Sequence, residues 1–170
     1  MKRRGIFSLS LSFVIILFAG CIPSVSLTGG TVDPTAKTVF VGTFVNNSSL
    51  VNPSLSQDFT NTLKSKIQSQ TPLEIVNSGG DYRFEGEITN YTINPTAIQG
   101  NETAAMNRLT ITVRVSFENR FDESLNFQQT FSRYADYLSM ISLSSVESSL
   151  VEEINEALTE DIFNKAFVNW

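Results

Sequence analysis

The chain is 170 residues long, with a formal net charge of −5, no histidine and one cysteine. Without histidine it lacks the commonest general base and transition-metal ligand, and one cysteine makes neither a disulfide framework nor a cysteine-based zinc or iron–sulfur site. Charged residues are 17% of the chain, against a usual share of about 25%, so the chemistry left rests on carboxylates, hydroxyls and lysines, or there is none.

Lys2, Arg3 and Arg4 lead into Ile6–Ala19, a 14-residue stretch without charge. A bilayer-spanning helix needs roughly 20 residues. A basic start, a short apolar stretch and small residues after it mark a secretory leader instead. Ala19 and Gly20 are the small residues, and Cys21 follows them directly. Phe18-Ala19-Gly20-Cys21 resembles a bacterial lipobox, in which leucine is preferred where Phe18 stands; Leu17 lies one residue further out. The plainer alternative is an ordinary leader followed by a chance cysteine.

The lipobox resemblance implies that residues 1–20 are a lipoprotein signal peptide and that Cys21 becomes an acylated N-terminus. Several acyl chains anchor firmly, at about 0.8 kcal/mol per buried CH₂. Ile22 is not the aspartate that holds lipoproteins at the inner membrane, so the same resemblance implies lipid anchoring in the outer membrane, on its periplasmic face. Cleavage removes 20 residues and three cations, leaving 150 residues with nine Lys and Arg against 17 Asp and Glu, a net charge of −8. Net charge does not draw such a body to nucleic acid.

Residues 21–37, with two prolines and two glycines among serines and threonines, read as the acylated N-terminus and tether. A single domain is expected over 38–170. Thr38–Val45 is rich in β-branched and aromatic residues, as a first strand is. Asn52-Pro53 suits a helix start, and Leu55, Phe59, Leu63 and Ile67 recur every four residues until Thr71-Pro72 ends the pattern. Leu73–Val76 is a short strand, and Asn77-Ser78-Gly79-Gly80 is turn chemistry. Tyr82, Phe84, Gly86 and Ile88 then alternate with polar residues, predicting a strand to about Ile93.

Residues 94–107, with Pro95 and Gly100, read as a long loop of the kind that is often functional. Leu109, Ile111, Val113, Val115 and Phe117 give the cleanest strand, and Leu125–Tyr137 a last one. Ser144 and Glu147 are spaced as a capping box before an apolar stripe through Leu150, Ile154, Leu158 and Ile162. The fold class expected is α+β: a two-layer domain of order β-α-β-β-β-β-α, its mixed, mainly antiparallel sheet carrying both helices on one face.

No catalytic or cofactor-binding motif is present. Glu85 and Glu87 lie two apart on one strand face, where ordinary cross-strand charge partners are the simpler reading. On the cleanest strand, Arg108, Arg114 and Arg120 share the outer face. Arginine's planar fork suits phosphate, and pairing with Glu85, Glu87 and Glu118 is the competing explanation. Arg133 has the parity of Phe127 and Phe131, which predicts either a bulge or a place at the exposed strand end.

Five segments together carry a family resemblance: TVFVGTF (38–44), NPSLSQDFTNTLKSKIQSQT (52–71), GGDYRFEGEITNY (79–91), AMNRLTITVRVSFEN (105–119) and SSVESSLVEEINEALTEDIFNKAFVNW (144–170). With the lipobox, they resemble the lipopolysaccharide-assembly lipoproteins, the LptE family. The resemblance implies a non-enzymatic outer-membrane lipoprotein without a cofactor. It implies too that the protein plugs and helps assemble a large β-barrel, LptD, and assists lipopolysaccharide delivery. Arg108, Arg114 and Arg133 are then the candidate contacts to lipopolysaccharide phosphates. Two rivals stand beside this reading: a periplasmic carrier of an acylated cargo, which needs an apolar cavity, and a cell-wall hydrolase on Glu85 and Glu87, which needs a cleft.

Overall fold

The structure, a computed structural model, describes residues 32–50, 52–96 and 105–168; the leader, Cys21 and most of the tether lie outside the described residues. The strand expected over 38–45 is two pieces, β1 (Thr38–Val41) and β2 (Val45–Asn46). The break has a cause at Phe44. Its N–H donates to Thr60 Oγ1 (3.1 Å) and its carbonyl accepts from Ser56 Oγ (2.7 Å), so a helix takes the groups that a neighbouring strand would pair.

That helix is α1 (Leu55–Gln70), and its four-residue repeat Leu55, Phe59, Leu63 and Ile67 is fully buried. Asn52 Oδ1 accepts from the N–H groups of Ser54 and Leu55, both at 3.1 Å, covering donors that the first turn leaves free. At the other end Thr71 is extended ahead of Pro72, as a residue before proline prefers.

The remaining elements are β3 (Glu74–Val76), β4 (Tyr82–Thr96), β5 (Met106–Asn119), a 3₁₀ turn at Glu123–Leu125, β6 (Phe127–Leu138) and α2 (Leu143–Phe167). The fold class holds: a mixed six-stranded sheet with two helices. Strand order is β3-β1-β4-β5-β6, with β2 beside β4. β1 is parallel to β3 and β4, β2 is parallel to β4, and β4-β5-β6 form an antiparallel meander.

One connection differs from the expected meander, because β3 and β4 flank β1 and the chain must cross it. Gly79 and Gly80 make the crossing at φ +70° and +108°. A Cβ on Gly80 would lie 2.9 Å from both Phe40 N and Tyr82 O.

β4 is also longer than predicted. It runs through Pro95, paired with Asn107, to Thr96, paired with Met106. Proline is tolerated there because β1 and β2 pair with β4 only as far as Ile88, which leaves this stretch at an edge. The long loop expected over 94–107 therefore shrinks, and 97–104 lie outside the described residues.

Tyr82, Phe84, Ile88 and Tyr91 of β4, the five odd apolar residues of β5, and Phe131, Ala135 and Tyr137 of β6 are buried in one core with both helices. Gly86 shares this face, and a Cβ there would sit 2.1 Å from the Arg114 carbonyl oxygen and 2.6 Å from the Phe44 ring. The Phe44 ring thus packs on bare backbone, and at 5.0 Å it meets Phe59 edge-on.

The capping box does not form. Ser142 is the N-cap of α2 and makes no side-chain cap bond. Glu147 instead accepts from the Tyr91 hydroxyl (2.5 Å) and Asn52 Nδ2 (2.9 Å), because this turn packs where β4 and the entry to α1 meet. Burial, with the Glu147 bond second, pushes the Tyr91 phenol up to about 12.

Candidate functional site on the outer sheet face

The helices cover one face of the sheet, and no described element covers the other. Antiparallel registry brings even-numbered β5 residues to this outer face between β4 and β6. Asn94, Arg108 and Asp136 form one row; Glu87, Arg114 and Thr130 form another. Arg108 and Arg114 are six residues apart on β5, about 20 Å at 3.3 Å per residue.

Neither guanidinium is bare. Arg108 grips Asp136 with two parallel bonds of 2.8 Å and stacks on Tyr134, 3.5 Å from the ring centre. The Arg108 bonds hold the Asp136 carboxyl below the usual range. Arg114 donates to Glu87 Oε1 at 2.7 Å, while Asn47 donates to Glu87 Oε2 at 2.6 Å. Of the cross-strand partners expected from sequence, only Glu87 serves these two. Asp136 was missed because its pairing depends on the β5–β6 register, which the turn at Glu123–Leu125 sets. The hairpin parity was the available signal. Arg120 lies just past β5, 77% exposed, with Asp81 at 3.9 Å.

Arg133 corrects the sequence expectation. No bulge interrupts β5–β6, and Arg133 is mid-strand, opposite Ile111. Its parity turns it to the helix side, and being on an edge strand it reaches round to Asp161 of α2 with two 2.6 Å bonds. The structure therefore places Arg108 and Arg114 on one face and Arg133 on the other. Exposed ion pairs are worth about 0–1 kcal/mol, so a multiply charged phosphate is able to displace these carboxylates from an arginine fork.

Glu85 and Glu87 are engaged by Arg83 and Arg114 on this same open face, without a described cleft over them. A carrier cavity is likewise not what separates the sheet from the helices. Phe44, Phe59, Tyr82, Phe84, Phe117, Phe163 and Phe167 close-pack there, each at most 2% exposed. Among the described residues no cluster of three or more acidic or cysteine residues converges for a metal.

Among the comparisons with known proteins, one assigns a family. A family model described as LptE, lipopolysaccharide-assembly, matches residues 36–166. No curated protein sequence matches the chain. Among solved structures, a minor lipoprotein from Acinetobacter baumannii is similar at 16% identity and a TM-score of 0.51, covering 76% of this chain and 91% of its own. A neuraminyllactose-binding hemagglutinin homolog from Helicobacter pylori is similar at 8% identity and a TM-score of 0.51, covering 85% and 89%. Rare lipoprotein B from Shewanella oneidensis is similar at 15% identity and a TM-score of 0.47, covering 75% and 92%. At such identities these likenesses concern the fold.

Proposed function

This chain belongs to the LptE family of lipopolysaccharide-assembly proteins, and we propose that it plugs and helps assemble an LptD-like β-barrel and assists lipopolysaccharide delivery to the outer membrane. The observation that carries this reading is the family match, which extends from residue 36, ahead of β1, to residue 166 in the last turn of α2. The role is one of fitting and holding, not catalysis. Lumens of large membrane barrels are polar. The outer sheet face suits such a wall, with Thr110, Thr112, Ser116, Thr130 and Ser132 between its ion pairs.

In this proposal residues 1–20 are removed, acylated Cys21 anchors the protein in the outer membrane, and residues 21–37 tether the domain on the periplasmic face. Arg108 and Arg114 contact lipopolysaccharide phosphates, exchanging Asp136 and Glu87 for ligand oxygens. Arg133 is the third candidate contact, from the sheet edge, with Asp161 as the displaced partner. The filled core speaks against the rival carrier role, which requires several hundred cubic ångströms of apolar space.

Depletion in the native host tests the assignment. Surface-exposed lipopolysaccharide is expected to fall severalfold while total lipopolysaccharide persists. Unchanged surface lipopolysaccharide on full depletion overturns it.

A further inference from the structure

At the end of the sheet where β4 begins, a hollow of about 440 Å³ opens between the Gly79–Gly80 bend and the turn after β5. Arg83, Glu118, Arg120 and Glu123 supply its charged lining, with Asp81 beside them. The turn is a fixed frame. Asn119 Oδ1 accepts from the N–H groups of Phe121 (2.8 Å) and Asp122 (3.1 Å), and Asn126 Oδ1 accepts from Asn119 N (2.6 Å). Arg120 N donates to the Asp81 carbonyl (3.0 Å), which ties the turn to the start of β4.

Charge of both signs is left unpaired in this hollow. Arg83, Arg108, Arg114 and Arg133 each hydrogen-bond a carboxylate at 2.8 Å or less. Arg120 alone among the described arginines does not. Its guanidinium is 77% exposed and 3.9 Å from Asp81 Oδ1, while Asp81 Oδ2 is taken by Lys37 and Thr38. Glu118 stands directly opposite Arg83, yet Arg83 turns along its own strand to Glu85. Glu118 and Glu123 form no ion pair among the described residues. The N–H groups of Gly79 and Gly80 donate to no described residue. Opposite charges that share a hollow without meeting, at fixed points of a frame, are complementary to a ligand that carries both signs. A lone anion there meets two carboxylates, and a lone cation meets a guanidinium.

We propose that this hollow binds the headgroup of a zwitterionic phospholipid with a primary ammonium, the phosphate on Arg120 and the Gly79–Gly80 bend and the ammonium between Glu118 and Glu123. A guanidinium fork and successive backbone N–H groups both match phosphate oxygens, and the two carboxylates accept the ammonium protons. Two observations favour a lipid over a free small molecule. Phe121, next to Arg120, is 43% exposed, and amphipathic and aromatic side chains gather where a bilayer meets water. The described chain also enters at this end, where Asp33 N donates to the Tyr82 hydroxyl (3.0 Å). Residues 21–32 span at most about 40 Å, so an anchor at Cys21 keeps the hollow within reach of the bilayer. That placement rests on the proposed acylation of Cys21; the charge complementarity does not.

The test titrates the full-length protein in a nonionic detergent with three soluble probes, followed by amide NMR: glycerophosphoethanolamine, glycerol 3-phosphate and ethanolamine. Saturable shifts at Gly79, Gly80, Arg120 and Glu123 are expected with the first, at least tenfold tighter than with either of the others. Arg120→Ala is expected to remove that advantage over ethanolamine, and Glu118→Gln with Glu123→Gln the advantage over glycerol 3-phosphate. Equal binding of the three probes overturns the proposal, as does undiminished binding by these variants or the absence of saturable shifts at these amides. This arm needs no acyl chain, so its outcome is independent of the anchor. A second arm places the protein in phosphatidylethanolamine nanodiscs carrying a spin-labelled headgroup lipid. Broadening of Gly79 and Phe121 well before Met106 and Leu138, at the far end of the sheet, is expected. Uniform broadening overturns the lipid as the source of the headgroup.

Discussion

Gly86 sits mid-strand because the Phe44 ring needs its space. Alanine there forces a methyl group to 2.1 Å from a carbonyl oxygen of β5 and 2.6 Å from that ring. Overpacking of this kind costs about 1–3 kcal/mol and occasionally more. Gly86→Ala is therefore expected to lower stability by about 3 kcal/mol, a fall in Tm of roughly 6–12 °C for a domain this size, read by thermal unfolding. A second single-residue effect belongs to Asp81, which ties the entry of β4 to β1. Its Oδ2 accepts from Lys37 N (2.9 Å), Thr38 N (3.1 Å) and Thr38 Oγ1 (2.9 Å). Those bonds, the Lys37 amide first, hold its carboxyl below the ordinary value. A depressed folded pKa means that the unfolded chain takes up the proton first, so the Asp81 contribution is present above about pH 4 and lost as pH falls below it. Denaturant titrations from pH 6 to pH 2 are expected to show a smaller loss of stability in Asp81→Asn than in the parent.

At the scale of elements, the legible parts were those whose hydrophobic period runs uninterrupted. Leu55, Phe59, Leu63 and Ile67 announce α1, and the five alternating apolar residues of β5 announce the central strand. What stayed hidden depended on partners distant in sequence. The gap between β1 and β2 exists because Thr60 and Ser56 capture the Phe44 backbone. β4 passes through Pro95 because its neighbours on one side end early, and Glu147 abandons a local cap for Tyr91 on β4 and Asn52 near α1. The candidate ligand face was half legible. Strand parity put Arg108 and Arg114 together, but parity alone does not reveal that Arg133 reaches Asp161 around the sheet edge.

The β5 face carries its own prediction. If Arg108 and Arg114 hold phosphates, replacing both with glutamate is expected to weaken lipopolysaccharide binding at least tenfold in a filter or fluorescence assay, with the far-UV spectrum unchanged. Equal affinity in the double variant removes both residues from the contact.

At the scale of the whole molecule, the chain has no histidine and one cysteine. The residues that remain build an aromatic core under two helices and a broad polar sheet surface. The chain from Cys21 onward carries a net charge of −8. Such a charge fits the proposed work at a barrel wall better than adhesion to anionic lipid. Isolation of the affinity-tagged full-length protein from detergent-solubilised native membranes tests the central claim most directly. The account predicts a stoichiometric outer-membrane β-barrel of the LptD type in the eluate, retained at high salt. Recovery of the protein alone, with that barrel left in the unbound fraction, contradicts it.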